Sequence, residues 1–535
     1  MMKGRKIATI AALGTSTAAL AMLTGLAGAR ADELSDLRLN QQLLSQRIDQ
    51  LAAVGQFAGP TVPFSVDTNP AASAPATAGS FPRSILIPGT DTSLKVYGQI
   101  SEVLDYWMSG GNPNGSPQST TVGDNGQVQS APLNNAGITK ARSNGIFQQS
   151  PRESKLGFET RTPTPLGEMR TVMEFDWAGS TTFAPGGTNP TSVSDNLIPR
   201  IKYAYGTLGG FLAGQATSNF SDPDANAETL DFGGNVGEPG HVRVAQLRYT
   251  MPVPFGGSFS VSAETPETDI GTGAGVEGSD AGVVPTVTTT CTIAALATAT
   301  VCTTALVTSG QLPVNIAKST APDFTAAWYL PQPWGHLDVS TVIRPGLDVT
   351  DGKFFARDFI GYGGHFGMDF KPGWFGWVKD DFTAHFTVGE AIGGYLNSST
   401  NFALATNYGA AGAYGSFGGP ATALAASAIL VKPTFEWGSE VGYQHWWADN
   451  LRSNINAGFN SHTIPGGAVV NPSNVVGVAQ SGAMNKTLKT VHANLIWNPV
   501  SSVDVGIEYM FGERTTVNNG HGNENALISK FNFRF

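Results

Sequence analysis

The amino-acid sequence predicts an all-β protein: a 16-stranded antiparallel transmembrane β-barrel, preceded by a short N-terminal coiled-coil helix. Three observations predict this fold. Apolar and polar residues alternate with a period of two from residue 92 onward, the strand-like segments number sixteen, and the connections between them are alternately short and long. Short periplasmic turns and long external loops are typical of membrane barrels, and sixteen strands leave room for an aqueous channel.

The first 31 residues have the three parts of a bacterial signal peptide. A basic start, MMKGRK, precedes an apolar stretch, and Ala29, Arg30 and Ala31 fit a small-x-small cleavage site. We therefore predict that residues 1–31 are removed before Asp32, with a membrane anchor as the alternative. No later apolar run approaches the ~18–20 residues that a spanning helix requires, so we expect an exported chain without a transmembrane helix.

Residues 32–54 carry a heptad pattern that predicts a periplasmic coiled-coil helix. Its a and d positions are Leu34, Leu37, Gln41, Leu44, Ile48 and Leu51. Three heptads are too short to be stable alone, so the coil requires chains that other contacts already hold together; a lone surface helix is the alternative. Residues 55–91 hold six prolines and no periodicity, which predicts a semi-extended linker before a barrel at 92–535.

The predicted strands each have one apolar face for lipid and one polar face for water. In the first strand, Leu94, Val96 and Ile100 share the apolar face, and Lys95 lies on the other. Glu102 falls on the apolar face, which predicts either a bulge or a subunit contact there. The sixteen segments are 94–108, 153–162, 168–177, 199–206, 210–217, 242–251, 257–265, 322–330, 336–344, 358–370, 381–391, 432–446, 451–463, 486–497, 503–514 and 524–535.

Aromatic residues concentrate at the predicted strand ends and in the last strand. Those in or beside short turns are Trp334, Trp374, Trp377, Trp446, Trp447 and Trp497, and those at the opposite ends are Trp107 and Trp177. This placement predicts two aromatic girdles at the lipid interfaces. The last strand alternates Phe531, Phe533 and Phe535. We interpret these three residues as a signal for the barrel-assembly machinery.

Five stretches resemble the DcaP-like porins, which are trimeric outer-membrane channels of Gram-negative bacteria. They are SLKVYG (93–98), SKLGFETRTPTPLGEM (154–169), AYGTLGGFLAGQATSNFSDP (204–223), ETLDFGG (228–234) and QLRYT (246–250). The resemblance implies a sixteen-stranded homotrimer in the cell outer membrane that takes up small anionic solutes such as dicarboxylates. Such a protein would contact outer-membrane lipid and lipopolysaccharide, and whether its coil contacts peptidoglycan is left open.

Residues 218–241 interrupt the alternation and are predicted to fold inward as a constriction loop. The acidic residues that we place on it are Asp222, Asp224, Glu228, Asp231 and Glu238. The basic residues that we place on the facing wall are Lys155, Arg161, Arg170, Arg200, Lys202, Arg248 and Arg344. A transverse field of this kind would favour small anions despite the net charge of −10. The alternative is that these cations pair with carboxylates along the wall.

Around residue 202, charged residues alternate with apolar or aromatic ones, and this alternation predicts which face of the sheet each side chain takes. Arg200 and Lys202 are predicted to point inward, and Ile201, Tyr203 and Tyr205 are predicted to point outward to lipid.

The long external loop at 266–321 contains the two cysteines, Cys291 and Cys302, which predict one disulfide in an exported protein. Their spacing fits no metal site. GAGVEG (273–278) matches a dinucleotide-binding motif but lacks the strand and helix that the motif needs. We therefore predict no cofactor, metal, nucleic-acid partner or enzyme activity. The alternatives to a porin are an adhesin or structural anchor and, less favoured, a lipase-type barrel enzyme.

Overall fold

The computed structural model describes residues 78–110, 144–179, 198–237, 242–254, 256–266, 270–272, 276–277, 286–293, 300–307, 317–350, 356–396, 404–406, 431–463, 485–516 and 520–535. Within these ranges, no helix has both the length and the apolar character that crossing a membrane requires. The predicted signal peptide, the coiled coil and most of the linker lie outside the described residues, so they stay predictions.

Sixteen strands form the barrel. They are β1 (Ser93–Ser109), β2 (Lys155–Thr164), β3 (Gly167–Gly179), β4 (Ile198–Leu208), β5 (Phe211–Thr217), β6 (Arg243–Pro252), β7 (Ser258–Glu264), β8 (Asp323–Gln332), β9 (Gly335–Thr350), β10 (Ala356–Phe370), β11 (Asp381–Glu390), β12 (Phe435–Ala448), β13 (Leu451–Thr463), β14 (Asn485–Val500), β15 (Val503–Thr516) and β16 (His521–Arg534). Each predicted segment overlaps one of these strands.

The sheet closes on itself through its first and last strands. Every strand pairs antiparallel with its neighbour in sequence, and β1 pairs with both β2 and β16. At the seam, the amide of Phe535 donates to the carbonyl of Gly98 at 3.1 Å, and the amide of Gly98 donates back at 3.3 Å. Closure leaves no sheet edge, as a membrane barrel requires. The predicted 16-stranded antiparallel barrel is confirmed.

The two faces of the sheet differ as the alternation predicts. On the outer face, Ile100, Ile455 and Phe533 are exposed, so apolar side chains form the surface for lipid. On the inner face, Ser101 and Asp105 are buried. The short connections, such as 165–166, 449–450 and 501–502, lie at one end of the barrel, and the long ones lie at the other.

Trp107 departs from the predicted aromatic girdle. It is 3% exposed and packs with Val103 against Leu230, which belongs to a loop inside the barrel. Its indole donates a hydrogen bond to Oε1 of Gln148 at 3.2 Å. The prediction for Trp107 is wrong because the residue has the same parity as the inward Asp105.

A bulge in β4 changes the face of two tyrosines. Phe175 pairs with Ile201 and Glu174 pairs with Tyr203, so Lys202 is the extra residue between them. Beyond the bulge, Tyr203 and Tyr205 turn toward the lumen, and the Tyr205 hydroxyl accepts a hydrogen bond from Arg170 Nη1 at 3.5 Å. The prediction that both tyrosines face outward with Ile201 is therefore wrong.

At the long-loop end, residues 286–293 and 300–307 pair as an antiparallel hairpin. The register sets Cys291 directly opposite Cys302. Opposed positions on paired strands have the Cα separation that a disulfide needs. This placement supports the predicted disulfide, which stays a prediction.

At the short-turn end, Asp380 fastens the connection 371–380 to β12. Its carboxylate is 1% exposed and accepts hydrogen bonds from the Tyr443 hydroxyl at 2.6 Å, from His445 Nδ1 at 2.8 Å and from the Trp446 amide at 3.1 Å. Burial alone would raise the pKa of Asp380, but these hydrogen bonds outweigh burial and lower the pKa below its usual value.

We expect Asp380→Asn to lower the stability of the barrel by about 1–3 kcal/mol, because buried donors lose a charged acceptor. Since the folded-state pKa is lowered, this stabilisation is complete above the usual carboxyl pKa and is lost as the pH falls through the folded value. Heat-induced unfolding in detergent measures the effect, and the difference from wild type should shrink between neutral pH and about pH 3. Asp449→Asn, in the exposed neighbouring turn, is the matched control; an equal loss there would contradict the role of Asp380.

Candidate functional site in the lumen

The connection between β5 and β6 folds into the barrel and is called the inward loop, residues 218–237. Near its start, Pro223–Ala225 form a single 3-10 turn. Its root is held at Glu264 of β7: the Ser218 hydroxyl donates to Oε2 at 2.7 Å, and the Asn219 amide donates to Oε1 at 2.8 Å. The loop then crosses the lumen to the wall formed by β12 to β16.

Glu508 of β15 anchors the tip of the inward loop. Its carboxylate, 1% exposed, accepts hydrogen bonds from the backbone amides of Leu230 at 2.7 Å and Asp231 at 3.2 Å. His492 Nδ1 lies 2.9 Å from Oε1, and Asn494 donates to Oε2 at 2.9 Å. One buried carboxylate therefore collects four donors, two of which belong to the loop backbone.

Two further polar contacts fix the loop on either side of its tip. Arg452 of β13 forms a bidentate pair with Glu228, with Nη2 and Nε at 2.5 and 2.7 Å from the carboxylate oxygens. Paired geometry of this kind adds orientation as well as energy. The Asn235 side chain donates to Glu440 at 2.9 Å and to Asn456 at 2.8 Å. The loop is thus bound to three strands of the far wall: β12, β13 and β15.

The wall beneath the loop is built of glycines. A Cβ at Gly506 would lie 2.7 Å from the Leu230 side chain, and one at Gly438 would lie 2.7 Å from the Cα of Gly237. A Cβ at Gly442 or Gly458 would press still closer on the loop backbone or its side chains. Only residues without a side chain let the loop approach the sheet this closely.

Between the loop and the wall lies an open space of about 530 Å³. Its basic lining residues are Lys155, Arg200, Lys202, Arg243, Arg452, Lys530 and Arg534. Its acidic lining residues are Glu153, Glu228, Asp231 and Asp504. The neutral side chains around it include Gln99, Phe232 and Asn532. Among the described residues, seven cations and four carboxylates therefore border the space.

Ion pairs hold most of these cations in place. Arg200 forms a bidentate pair with the buried Asp176, at 2.7 and 3.0 Å, and lies 5.8 Å from the centre of the Phe232 ring. Arg534 pairs with Asp504 at 2.5 Å, and Lys530 pairs with Glu153. Lys155 has no ion-pair partner in the part of the chain that the structure describes. Its charge is therefore the least compensated of those that line the space.

The predicted site residues fall into separate groups. The space is lined by Lys155, Arg200, Lys202, Glu228 and Asp231. Asp222 lies on the loop but is buried against His336, 2.7 Å away, and Asp224 is exposed on the same turn. Glu238 lies outside the described residues and stays a prediction.

The other four predicted cations lie elsewhere on the wall. Arg161 and Arg170 share Glu159, each at 2.8 Å. Arg248 donates to Asn219 at the loop root, at 3.3 Å. Arg344 does not border the space beside the loop. It is 1% exposed, its Nε donates to Asp323 at 2.9 Å, and residues 391–396 cover it.

Sequence reasoning missed four cations of the lining: Arg243, Arg452, Lys530 and Arg534. Lys530 and Arg534 alternate with Phe531 and Phe533, and Arg452 alternates with Leu451, so the period of two already places these three on the inner face. Arg243 has the opposite parity and gives no such signal. It reaches the space from the first position of β6, where its guanidinium lies 5.3 Å from the Tyr203 ring.

Within the described residues, no cluster of three or more His, Cys, Asp or Glu side chains is suited to a metal ion.

A closed barrel with a loop folded into a charged lumen defines a channel of the bacterial outer membrane. Residues 85–526 match the model of the porin subfamily, and the chain belongs to that family. The lumen of the sixteen strands is therefore the channel of a porin, in the outer membrane of a Gram-negative bacterium.

The chain is also similar to solved channel structures. The outer membrane channel DcaP of Acinetobacter baumannii is 20% identical, over 83% of this chain and 97% of that one, with a TM-score of 0.56. The anion-selective porin from Comamonas acidovorans is 6% identical, over 83% and 100%, with a TM-score of 0.41. OmpT of Vibrio cholerae in its trimer form is 9% identical, over 83% and 99%, with a TM-score of 0.39. The resemblance to DcaP-like porins is confirmed for family and fold. No curated protein matches the chain.

Proposed function

We propose that this porin is a diffusion channel that favours small hydrophilic anions, with the inward loop as its constriction. One observation carries the proposal: among the described residues, seven cations and four carboxylates border the space beside the loop. A narrow, low-dielectric passage concentrates the ion of opposite sign to its lining. The net charge of −10 counts residues over the whole chain, whereas a permeating ion responds to those at the narrowest point.

Dicarboxylates are the solute class that we favour. In register, Gln99 of β1 pairs with Lys155 on one side and with Arg534 on the other. Strands lie about 4.8 Å apart, so two cations two strands apart are separated by about 10 Å at the backbone. Two carboxylates on one small solute can contact such a pair together, as the family resemblance also suggests.

The test is the reversal potential of the purified channel in a planar bilayer under a potassium chloride gradient. We expect the sign that indicates chloride preference, and a clear cation preference would overturn the proposal. Uptake into channel-containing liposomes then separates solutes of one size: a dicarboxylate should enter faster than a diamine. Equal rates would reject the dicarboxylate class while leaving a general porin.

We also propose a homotrimer, in which strands β1 to β5 face the partner subunits. Across β2 to β5, Thr160, Thr171, Gly206 and Ala213 stand side by side on the outer face, and the two threonine hydroxyls lie 2.6 Å apart. Glu102 is on the outer face of the adjacent β1. Small and polar residues fit a protein contact better than a lipid surface. The coil at 32–54 would then add to contacts that the barrels make.

We expect Ala213→Trp to weaken the oligomer, because a bulky ring would hold the small-residue row away from its partner. Ala384→Trp on β11 makes the same change on the outer face at a distance from this row. Chemical cross-linking in mild detergent should show fewer trimers for the first variant only. Equal trimer content in both variants would contradict this choice of face.

We further propose contacts with three partners: the barrel-assembly machinery, lipopolysaccharide and peptidoglycan. Phe531, Phe533 and Phe535 lie on the outer face of β16 and its end, which suits a signal for the assembly machinery. Contacts with lipopolysaccharide and with peptidoglycan are proposed on the family resemblance alone.

A further inference from the structure

A second segment folds into the lumen on the side where the inward loop begins. Residues 391–396, which follow β11, include Ala391, Ile392 and Leu396, each at most 1% exposed, and Tyr395 at 4%. The predicted strand 381–391 includes the first residue of this stretch, and residues 392–396 fall in the long connection that follows it. Its sequence, AIGGYL, has no charged residue and is largely apolar, which favours a buried position over an exposed loop.

Glycines of the wall admit this segment. A Cβ at Gly363 would lie 2.8 Å from the Ile392 side chain, and one at Gly389 would lie closer still. Ala391 has a φ of 56°, a left-handed conformation that is uncommon for alanine. Its amide donates to the carbonyl of Thr434 at 2.7 Å, and its carbonyl accepts from Arg344 Nη1 at 2.8 Å. The surrounding structure therefore enforces this backbone position.

The apolar side of the segment supports the root of the inward loop. Phe220 is 0% exposed, and its ring meets that of Tyr395 edge-on, with centroids 5.6 Å apart and planes at 89°. Ile392, Leu396 and Val342 complete the cluster around it. Edge-to-face contact stabilises such a pair of rings beyond the effect of their burial.

The polar side of the segment joins two carboxylates. The Tyr395 hydroxyl lies 3.1 Å from Oε2 of Glu264 and 3.1 Å from Oδ2 of Asp323. Glu264 is the residue that holds the Ser218 hydroxyl and the Asn219 amide, and Arg344 balances Asp323 at 2.9 Å. Burial and the two carboxylates raise the pKa of Tyr395, so its hydroxyl retains the proton that lies between them.

We propose that residues 391–396 brace the root of the inward loop, and that Tyr395 is a positioning residue that sets the width and ion preference of the channel through Glu264. This proposal rests on the proposed role of the inward loop as the constriction. Without the Tyr395 hydroxyl, two buried carboxylates face each other with no donor between them. Their repulsion would move Glu264 and release Ser218 and Asn219.

The test compares Tyr395→Phe with Tyr362→Phe in planar bilayers. Tyr362 is exposed on the outer face of β10, and its hydroxyl also donates to a carboxylate, that of Glu390 at 2.7 Å, which makes it a matched control. For Tyr395→Phe we expect additional current levels and an anion-to-cation permeability ratio closer to one. Tyr362→Phe should match wild type. A correctly inserted Tyr395→Phe channel with wild-type current levels and permeability ratio would overturn the proposal that residues 391–396 hold the root of the inward loop.

A second variant decides the matter if Tyr395→Phe does not insert. Ile392→Ala removes apolar contact over Gly363 without leaving a buried polar group unpaired, and we expect the same change in smaller degree. Wild-type behaviour of Ile392→Ala would then overturn the proposal. A cation preference in the wild-type channel would reject the proposed anion preference, but the difference between wild type and variant would still test whether residues 391–396 hold the root of the inward loop.

Discussion

Glu508→Gln is expected to open the channel by releasing the tip of the inward loop. The carboxylate faces four donors, and glutamine offers one acceptor oxygen and an amide that is itself a donor. At least two of these buried donors would lose their acceptor, at about 1–3 kcal/mol each. We therefore expect a conductance above that of wild type and a weaker ion preference, measured on single channels.

Glu513→Gln is the matched control for this experiment. Glu513 lies on the same strand, five positions further along, and pairs with Lys489 at 3.0 Å on the outer face. The two variants make one chemical change on opposite faces of β15, so only the inner one should alter conductance. If Glu508→Gln gives a folded, heat-stable barrel with wild-type conductance, Arg452 and Asn235 hold the loop without it, and Glu508 is not the anchor.

Lys155→Glu is expected to give the largest change in ion preference. Because Lys155 has no ion-pair partner in the described structure, its replacement leaves no carboxylate unpaired. The substitution replaces a positive charge with a negative one, so the net charge of the lining falls by two units. At 4 Å in water each unit contributes about 1 kcal/mol, so the local anion concentration falls by up to about 30-fold and the local cation concentration rises by up to the same factor, and both less as salt screens the charge. The reversal potential should move toward cation preference.

Lys486→Glu makes the same change in net charge away from the channel. Lys486 is exposed near the long-loop end of β14 and does not line the space beside the loop. We expect it to leave the reversal potential close to wild type at moderate salt. Equal shifts in both variants would mean that total charge, rather than the lining, sets the preference.

The sequence predicted the parts of this molecule that depend on a period of two. Alternation fixes which face a residue takes, and a slip of one position would expose every polar side chain to lipid. The strand count, the inward placement of Lys155 and Arg200, and the interruption after β5 all follow from this pattern. Tyr203 and Tyr205 show its limit, because a single bulge at Lys202 reverses the face and leaves no mark in the composition.

Other features depend on height in the barrel and on contacts between distant segments. Arg170 and Arg200 have the same inward parity, yet only Arg200 borders the space beside the loop, because strand stagger sets the level of each residue. The parity of Arg344 predicts a place on the channel wall, and nothing near Arg344 in sequence shows that residues 391–396 cover it. The sequence also does not mark the glycines beneath the loop. Gly442 and Gly458 differ from other glycines of the sheet only because Ala227 and Val236 of the loop lie against them.

The inward loop begins between β5 and β6 and is fastened to β12, β13 and β15 across the lumen. The loop therefore connects two opposite sides of the barrel wall through the lumen. A thin-walled tube flattens most easily where opposite sides can move independently, and a connection of this kind couples those sides. Lateral pressure from the membrane would then be carried in part by Glu508 and Arg452. A variant with a loosened loop should have a softer barrel as well as a wider channel.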